Sequence, residues 1–162
     1  MIVELDINLK IKIMLGELNE KQIEDLLSAQ VTGRIGCHAD GVTYIVPVNY
    51  IYRDPYIFSH ATKGQKIDMM RKNPRVCFQV DHIHSVFKWQ SVIASGLFEE
   101  ITNFDEKQQI MQGLIHRIMP LANNPADHPS HGIVEKENQI GTETDLIVYK
   151  IKLTKKTGRF EK

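Results

Sequence analysis

The chain has 162 residues, 42% of them hydrophobic, with 20 lysines and arginines balanced by 20 aspartates and glutamates. That length and apolar content suit one domain spanning residues 1–162, and zero net charge leaves no field to gather nucleic acid or an acidic membrane surface. No apolar run approaches the roughly 18 to 20 residues that cross a bilayer. The two cysteines, Cys37 and Cys77, lie in apolar strand-like runs, and the N-terminus lacks a secretory pattern, so a soluble, cytoplasmic protein with reduced thiols is expected.

Residues 1–13 alternate, with Val3, Leu5, Ile7, Leu9, Ile11 and Ile13 on one face, and read as a strand extension. Asn19 and Gln22 stand at capping-box spacing before Ile23, Leu26 and Leu27, which predicts a short amphipathic helix. Two β-rich runs, 31–39 and 42–53, flank Asp40-Gly41, the signature of a hairpin. Asp54-Pro55 makes a second turn before a strand at 56–60. A loop at 62–64 leads into a helix over 65–72 that Asn73-Pro74 ends. Residues 75–81 and 87–101 read as strands, the second long enough to need a bulge or bend at Gly96.

Asn103 and Glu106 repeat the capping spacing ahead of an apolar stripe of Ile110, Leu114, Ile115 and Ile118, and Pro120 closes that helix. Residues 121–142, rich in Pro, Asn, His and Gly, read as a long loop. A last strand at 145–153 precedes a basic tail, 155–162, expected to be solvated. About six short antiparallel strands with a few covering helices predict a mainly β barrel rather than a doubly wound sheet. No Gly-x-Gly-x-x-Gly follows a strand, so a Rossmann nucleotide site is not expected.

The stretch from Tyr56 to Lys66 runs from an apolar strand through Ser59, His60, Thr62 and Lys63 into a helix start at Lys66. Convergent hydroxyl, imidazole and ammonium donors beside the first N–H groups of a helix are what a phosphate dianion requires. Gly64 lets backbone approach closely there. On spacing alone, Lys63 and Lys66 suit the solvated start of a helix equally well.

Gly33-Arg34-Ile35, Val46-Pro47-Val48-Asn49-Tyr50, the loop from Ser59 to Lys66, residues 70–78, Trp89-Gln90-Ser91-Val92 and Thr157-Gly158-Arg159 occur in an order that resembles the pyridoxamine 5′-phosphate oxidase-like family, nitroimidazole-reductase-type branch. The likeness runs from about Met14 to the C-terminus. It implies a six-stranded antiparallel split β-barrel with Greek-key order, working as a homodimer with FMN in clefts at the subunit interface. On that likeness Val46, Pro47, Val48 and Asn49 line the isoalloxazine edge. Ser59, His60, Thr62, Lys63, Gly64 and Lys66 surround the phosphate or ribityl chain, and Trp89, Gln90 and Ser91 complete the site from a neighbouring strand. The chain departs from the family in reading Phe58-Ser59-His60-Ala61 where relatives read Phe-His-Ser-Ala. One position on a strand reverses the face, so either Ser59 or His60 meets the cofactor.

Remaining signals are weaker. His82 and His84 share a strand face, but no third ligand follows, and solvated histidines are the expected reading. His128 and His131 in the long loop leave haem handling as a minor alternative. Tyr44, Tyr50 and Tyr52 alternate on one strand face and suit the border of a flat ring system, with ordinary barrel or dimer-interface residues the expected reading, and Cys77, between Val76 and Phe78, reads as a buried structural thiol. Neither Ser59 nor Ser91 has base and acid partners at a recognisable triad spacing. The arginine-rich motif of true pyridoxamine-phosphate oxidases is absent near the C-terminus, where only Arg159 stands. The expected activity is electron transfer from a reduced nicotinamide or other donor through FMN to a small acceptor such as a nitroaromatic or quinone. The alternative is a protein that holds or senses FMN without turnover.

Overall fold

A computed structural model describes residues 15–122 and 146–162. The expected strand at 1–13 and all of the long loop but its first two residues lie outside them, as do His128 and His131. The elements in chain order are β1 (Leu15–Glu17), α1 (Glu20–Ala29), β2 (Thr32–Ala39), β3 (Val42–Asn49), β4 (Ile51–Arg53) and β5 (Tyr56–Ala61). They continue with α2 (Gln65–Lys72), β6 (Arg75–Ser85), β7 (Lys88–Glu100), α3 (Phe104–Ile118), a 3-10 turn at Met119–Leu121, and β8 (Ile147–Glu161). Among the described residues no helix is long and apolar enough to cross a membrane.

One antiparallel sheet runs in the order β3-β2-β6-β7-β8-β5-β4, with β1 added on β8. The mainly β class with covering helices is as expected, but there are eight strands among the described residues rather than six. One extra strand arises where a long run breaks, residues 42–53 dividing at Tyr50 into β3 and β4, and the other is the short β1 on β8. Tyr50 is fully buried, its hydroxyl donates to the Leu27 carbonyl at 2.8 Å, and its N–H bonds Val31 O at 2.9 Å. Anchoring this residue against α1 turns the chain from one end of the sheet to the other.

Local chemistry explains the junctions. At the tip of β2–β3, Asp40 and Gly41 both take positive φ, 52° and 76°, as a tight hairpin requires. The α1 capping box is complete, with Asn19 Oδ1 accepting from Gln22 N–H and Gln22 Oε1 from Asn19 N–H, each at 2.9 Å. At α3, Asn103 Oδ1 accepts from Glu106 N–H at 2.9 Å. The bend expected at Gly96 is a bulge: Ser95 pairs with Lys155 and Gly96 with Leu153, leaving Thr154 extra. A Cβ on Gly96 would lie 2.5 Å from Ile151 Cγ2, so only glycine fits.

The basic tail is a correction. Residues 155–161 are not a solvated end but the second half of β8, paired with β7 from Lys155 to Glu161 and with β1. The chain alternates there: Gly158 is buried under Leu18 and Ile23, Lys156 on the same face is half-buried against Glu24 of α1, and Lys155 faces outward. Cys77 is a second correction: Val76 and Phe78 take the inner face of β6, so alternation turns Cys77 outward and exposes it, while Cys37 is buried.

Ile35, Phe78, Val80, Val92, Ala94 and Ile151 fill the barrel, with Leu27 of α1 closing one end. Each of these side chains other than the single methyl of Ala94 contributes on the order of 1.5–3 kcal/mol by leaving water. A second cluster, with Ile51, Phe58, Val148, Met111 and Leu114, lies between α3 and the β4–β5–β8 part of the sheet. Strands β5 and β8 are therefore buried on both faces here, which is why Ile57-Phe58 and Leu146–Tyr149 are continuous apolar runs.

Candidate functional site

Strand β3 is the free end of the sheet, and the barrel is split between it and β5. The pairing phase decides what β3 offers to that split. Tyr50 N–H bonds Val31 O, so in the β2–β3 ladder residues 48, 46 and 44 exchange bonds with β2 while 49, 47 and 45 turn theirs away. Pro47, with no N–H to give, stands at a position the ladder does not use. The Asn49 carbonyl, on the same outward side, accepts from Ser59 Oγ at 2.7 Å, tying β3 to β5 across the end of the split.

A cleft of about 350 Å³ occupies this split. One wall is Tyr44 and residues 46–49 of β3, and the other is residues 60–66, from the end of β5 through the loop into α2. Gly64 precedes α2 and no side chain caps the helix, so its first N–H groups are left to the cleft. A Cβ on Gly64 would meet no protein atom within 4 Å and would project into open space. Lys66 is half-buried, its ammonium 6.0 Å from the centre of the Tyr149 ring, and it makes no ion pair among the described residues. Burial pushes its pKa down, opposed by the nearby Cys37. Helix N–H groups, the Thr62 hydroxyl and two ammonium groups form a donor set whose natural complement is an oxyanion.

Nine of the thirteen expected site residues line this cleft: Val46, Pro47, Val48, Asn49, His60, Thr62, Lys63, Gly64 and Lys66. Four do not. Strand β5 stays paired through Ala61, so Ser59 and His60 take opposite faces. His60 lines the cleft at the end of β5, on the strand face it shares with Phe58, whereas Ser59 is only 1% exposed and points into the barrel opposite Tyr149. Trp89, Gln90 and Ser91 lie on β7, three strands across from β3, about 14 Å away at ordinary spacing. There Trp89 Nε1–H donates to Glu161 at 2.8 Å, Ser91 Oγ accepts from Gln79 Nε2 at 3.2 Å, and Gln90 faces α1 beside His82. The cleft also takes in Tyr44, Ala61 and Gln65, and the signal for Tyr44 is that it shares the face of Val46 and Val48.

Outside the barrel, the β3–β2–β6–β7 face carries a wider groove of about 680 Å³. Its floor includes Gly36, Ile45, Cys77 and Leu97, and Arg34 and Arg75 stand at its rim. Ile45, Ile93 and Leu97 are 65%, 51% and 43% exposed, an apolar surface continuous with the β3 wall. Arg34 is held by Asp81 at 2.9 Å, and Gln79 joins that carboxylate to Ser91.

The model of the family described as pyridoxamine 5′-phosphate oxidase matches residues 19–159, from the α1 cap to the end of β8. The chain belongs to that family. A relative within reach by sequence, protein RA0666 of Rhizobium meliloti (strain 1021), is 26% identical over 142 residues, 88% of this chain and 92% of that one. Among solved structures, a protein of Mesorhizobium loti described as FAD-binding superposes with a TM-score of 0.73 at 24% identity, over 92% of this chain and 99% of that one. A putative 5-nitroimidazole antibiotic resistance protein of Bacteroides thetaiotaomicron does so at 0.67 and 17%, over 90% and 87%. These likenesses establish the family's split-barrel fold for this chain.

Proposed function

We propose that this chain is an FMN-binding flavoprotein of the pyridoxamine 5′-phosphate oxidase family, acting as an oxidoreductase. The observation that carries the reading is Lys66: a half-buried cation with no carboxylate partner among the described residues, beside an uncapped helix start that opens on a cleft. A buried charge of that kind is stabilised when a ligand brings the counter-charge. The phosphate of FMN meets Thr62, Lys63, Gly64 and Lys66, and the ring system extends along the β3 edge, where Pro47 and Asn49 offer backbone groups. One phosphate cradle at one end of the cleft matches a mononucleotide. The bound flavin supplies the redox chemistry; the protein's residues bind it, orient it and exclude water. Its electrons come from a reduced nicotinamide or another donor and pass to a small acceptor such as a nitroaromatic or quinone.

The apolar outer face supports a homodimer in which a second copy covers Ile45, Ile93 and Leu97. Trp89 and Ser91, which lie too far across the sheet to reach their own cleft, then complete the cleft of the partner copy.

The test is the visible spectrum of the purified protein before and after adding FMN, with Lys66→Ala beside it. Flavin bands that persist through gel filtration in the wild type, and weaken in the variant, support the reading. A wild-type protein that takes up no FMN overturns it. Bleaching of bound flavin by reduced nicotinamide, followed by recovery on adding a nitroaromatic or quinone, distinguishes turnover from storage or sensing of FMN.

A further inference from the structure

Lys66 forms part of the cleft wall, but what it rests on lies inside the barrel. Its ammonium stands 6.0 Å from the centre of the Tyr149 ring, within reach of the negative face of an aromatic system. Tyr149, on β8, is fully buried, and the Phe98 ring braces it with centroids 5.4 Å apart. The Tyr149 hydroxyl has Ser59 near it but completes no hydrogen bond among the described residues, because Ser59 donates its own hydrogen to the Asn49 carbonyl. The ring, rather than the hydroxyl, is what Tyr149 offers its neighbours.

The groups beneath the ammonium carry no charge. Burial pushes the Tyr149 phenol up and the Cys37 thiol on β2 up as well, so neither is an anion at neutral pH. Tyr44, His60 and Lys63 are the other titratable groups lining the cleft. Lys156 also stands over a ring, that of Tyr52 at 5.7 Å, but it has the carboxylates of Glu24 and Asp54 besides. A carboxylate holds an ammonium and cancels its charge. A ring face attracts it through a quadrupole and leaves the charge whole.

We propose that Tyr149 is a positioning residue for Lys66, its ring seating the ammonium at the floor of the cleft and leaving the full positive charge to a bound oxyanion. Tyr149 does not line the cleft, so it acts only through that lysine. This role rests on the flavin reading for the identity of the oxyanion, the FMN phosphate, whereas the seat itself belongs to the protein without ligand.

The experiment compares Tyr149→Leu, which removes the ring, with Tyr149→Phe, which keeps it. Reductive methylation of the ligand-free protein across a pH series, resolved by peptide mass spectrometry, follows the uncharged amine of Lys66. Without the ring the ammonium loses its proton more readily, so the Tyr149→Leu profile is expected to move to lower pH by about half a pH unit or more. FMN titration of the same variant at neutral pH is expected to give a Kd weaker by about threefold to fivefold. Tyr149→Phe restores both. In a Lys66→Ala background, Tyr149→Leu is expected to cost no further affinity, as befits a residue that acts through one side chain.

A general packing defect would not move the titration of one lysine. A wild-type methylation profile in Tyr149→Leu therefore overturns the proposal, as does a further loss of affinity in the Lys66→Ala background. If the wild type binds no FMN while the profile moves as expected, the flavin reading has failed and the seat stands. Should Tyr149→Leu not fold, Tyr149→Met, ringless and closer in volume, replaces it.

Discussion

Two partly buried lysines sit at opposite sides of the barrel and are treated in opposite ways. Lys156, on β8, is enclosed: its ammonium contacts Glu24, Asp54 at 2.9 Å and the Tyr52 hydroxyl at 3.1 Å, and Tyr52 in turn donates to Glu24 at 2.6 Å. Burial opposes its charge, but those hydrogen bonds outweigh it and raise its pKa above the ordinary lysine value. Lys66 loses water too but has no carboxylate among the described residues, so its pKa moves down. The closed cluster pins α1 to the β4–β5 turn and β8, so its charges are satisfied by the fold. The open one stands at the cleft with its counter-charge still to come. A cation's role is thus legible from its partners rather than from its type or burial.

A pair of substitutions read by two measurements puts these roles to the test. Lys66→Ala is expected to cost about 1.5–3 kcal/mol of FMN affinity, one charge-assisted hydrogen bond, with no loss of stability in denaturant unfolding. Lys156→Ala is expected to cost about 2 kcal/mol of stability, because Glu24 and Asp54 are left facing each other, with FMN affinity unchanged. The reverse pattern would show that the two sites had been assigned the wrong roles. A smaller cut, Glu24→Gln, keeps the shape of the closed cluster but removes one charge, and about 1 kcal/mol of stability should go with it.

pH separates the two lysines by sign. Asp54 is held below the ordinary carboxylate range by hydrogen bonds from Lys156 and Tyr52. Its contribution is complete above that range and is lost as pH falls through its folded value, and in Lys156→Ala that acid limb should flatten. Lys66, lowered by burial, binds its proton less well folded than unfolded. Stability from this residue therefore rises as pH climbs between its folded value and the ordinary lysine value. FMN affinity should fall across the same window as the ammonium loses its proton, so stability and binding curves run in opposite directions there. The smallest effect belongs to Lys21, whose pair with Asp25 at 2.7 Å is exposed on α1. Lys21→Ala should change stability by no more than about 0.5 kcal/mol and binding not at all.

Much of the cleft is legible in the order of residues alone. The run from His60 to Lys66 combines donors with a helix start, and Val46-Pro47-Val48-Asn49 places a proline where only an edge strand tolerates one. Both walls therefore carry local marks. The inward turn of Ser59 is not legible in this way, because Ser59 and His60 are both polar and only the pairing of β5 through Ala61 determines which of them turns inward. Trp89, Gln90 and Ser91 belong to a different part of the sheet because strand order, not sequence order, sets distance. Tyr149 carries no local signal at all, since its relation to the cleft runs through Lys66, which folding brings to it from α2.

The amino-acid order is sufficient for every feature whose cause lies within a few residues. The α1 capping box, the Asp40-Gly41 hairpin and the donor-rich entry to α2 all follow from local dihedral and hydrogen-bond preferences. Tertiary structure decides the break at Tyr50, which needs Leu27 and Val31 to receive its hydrogen bonds, and the full length of β8, whose lysine-rich half is a strand only because β7 and β1 lie beside it. It also decides the split itself, because an edge becomes a wall only when a distant strand closes against it. Local preferences act over one turn or one pair of residues, whereas burial and strand pairing depend on partners that the chain brings together only by folding.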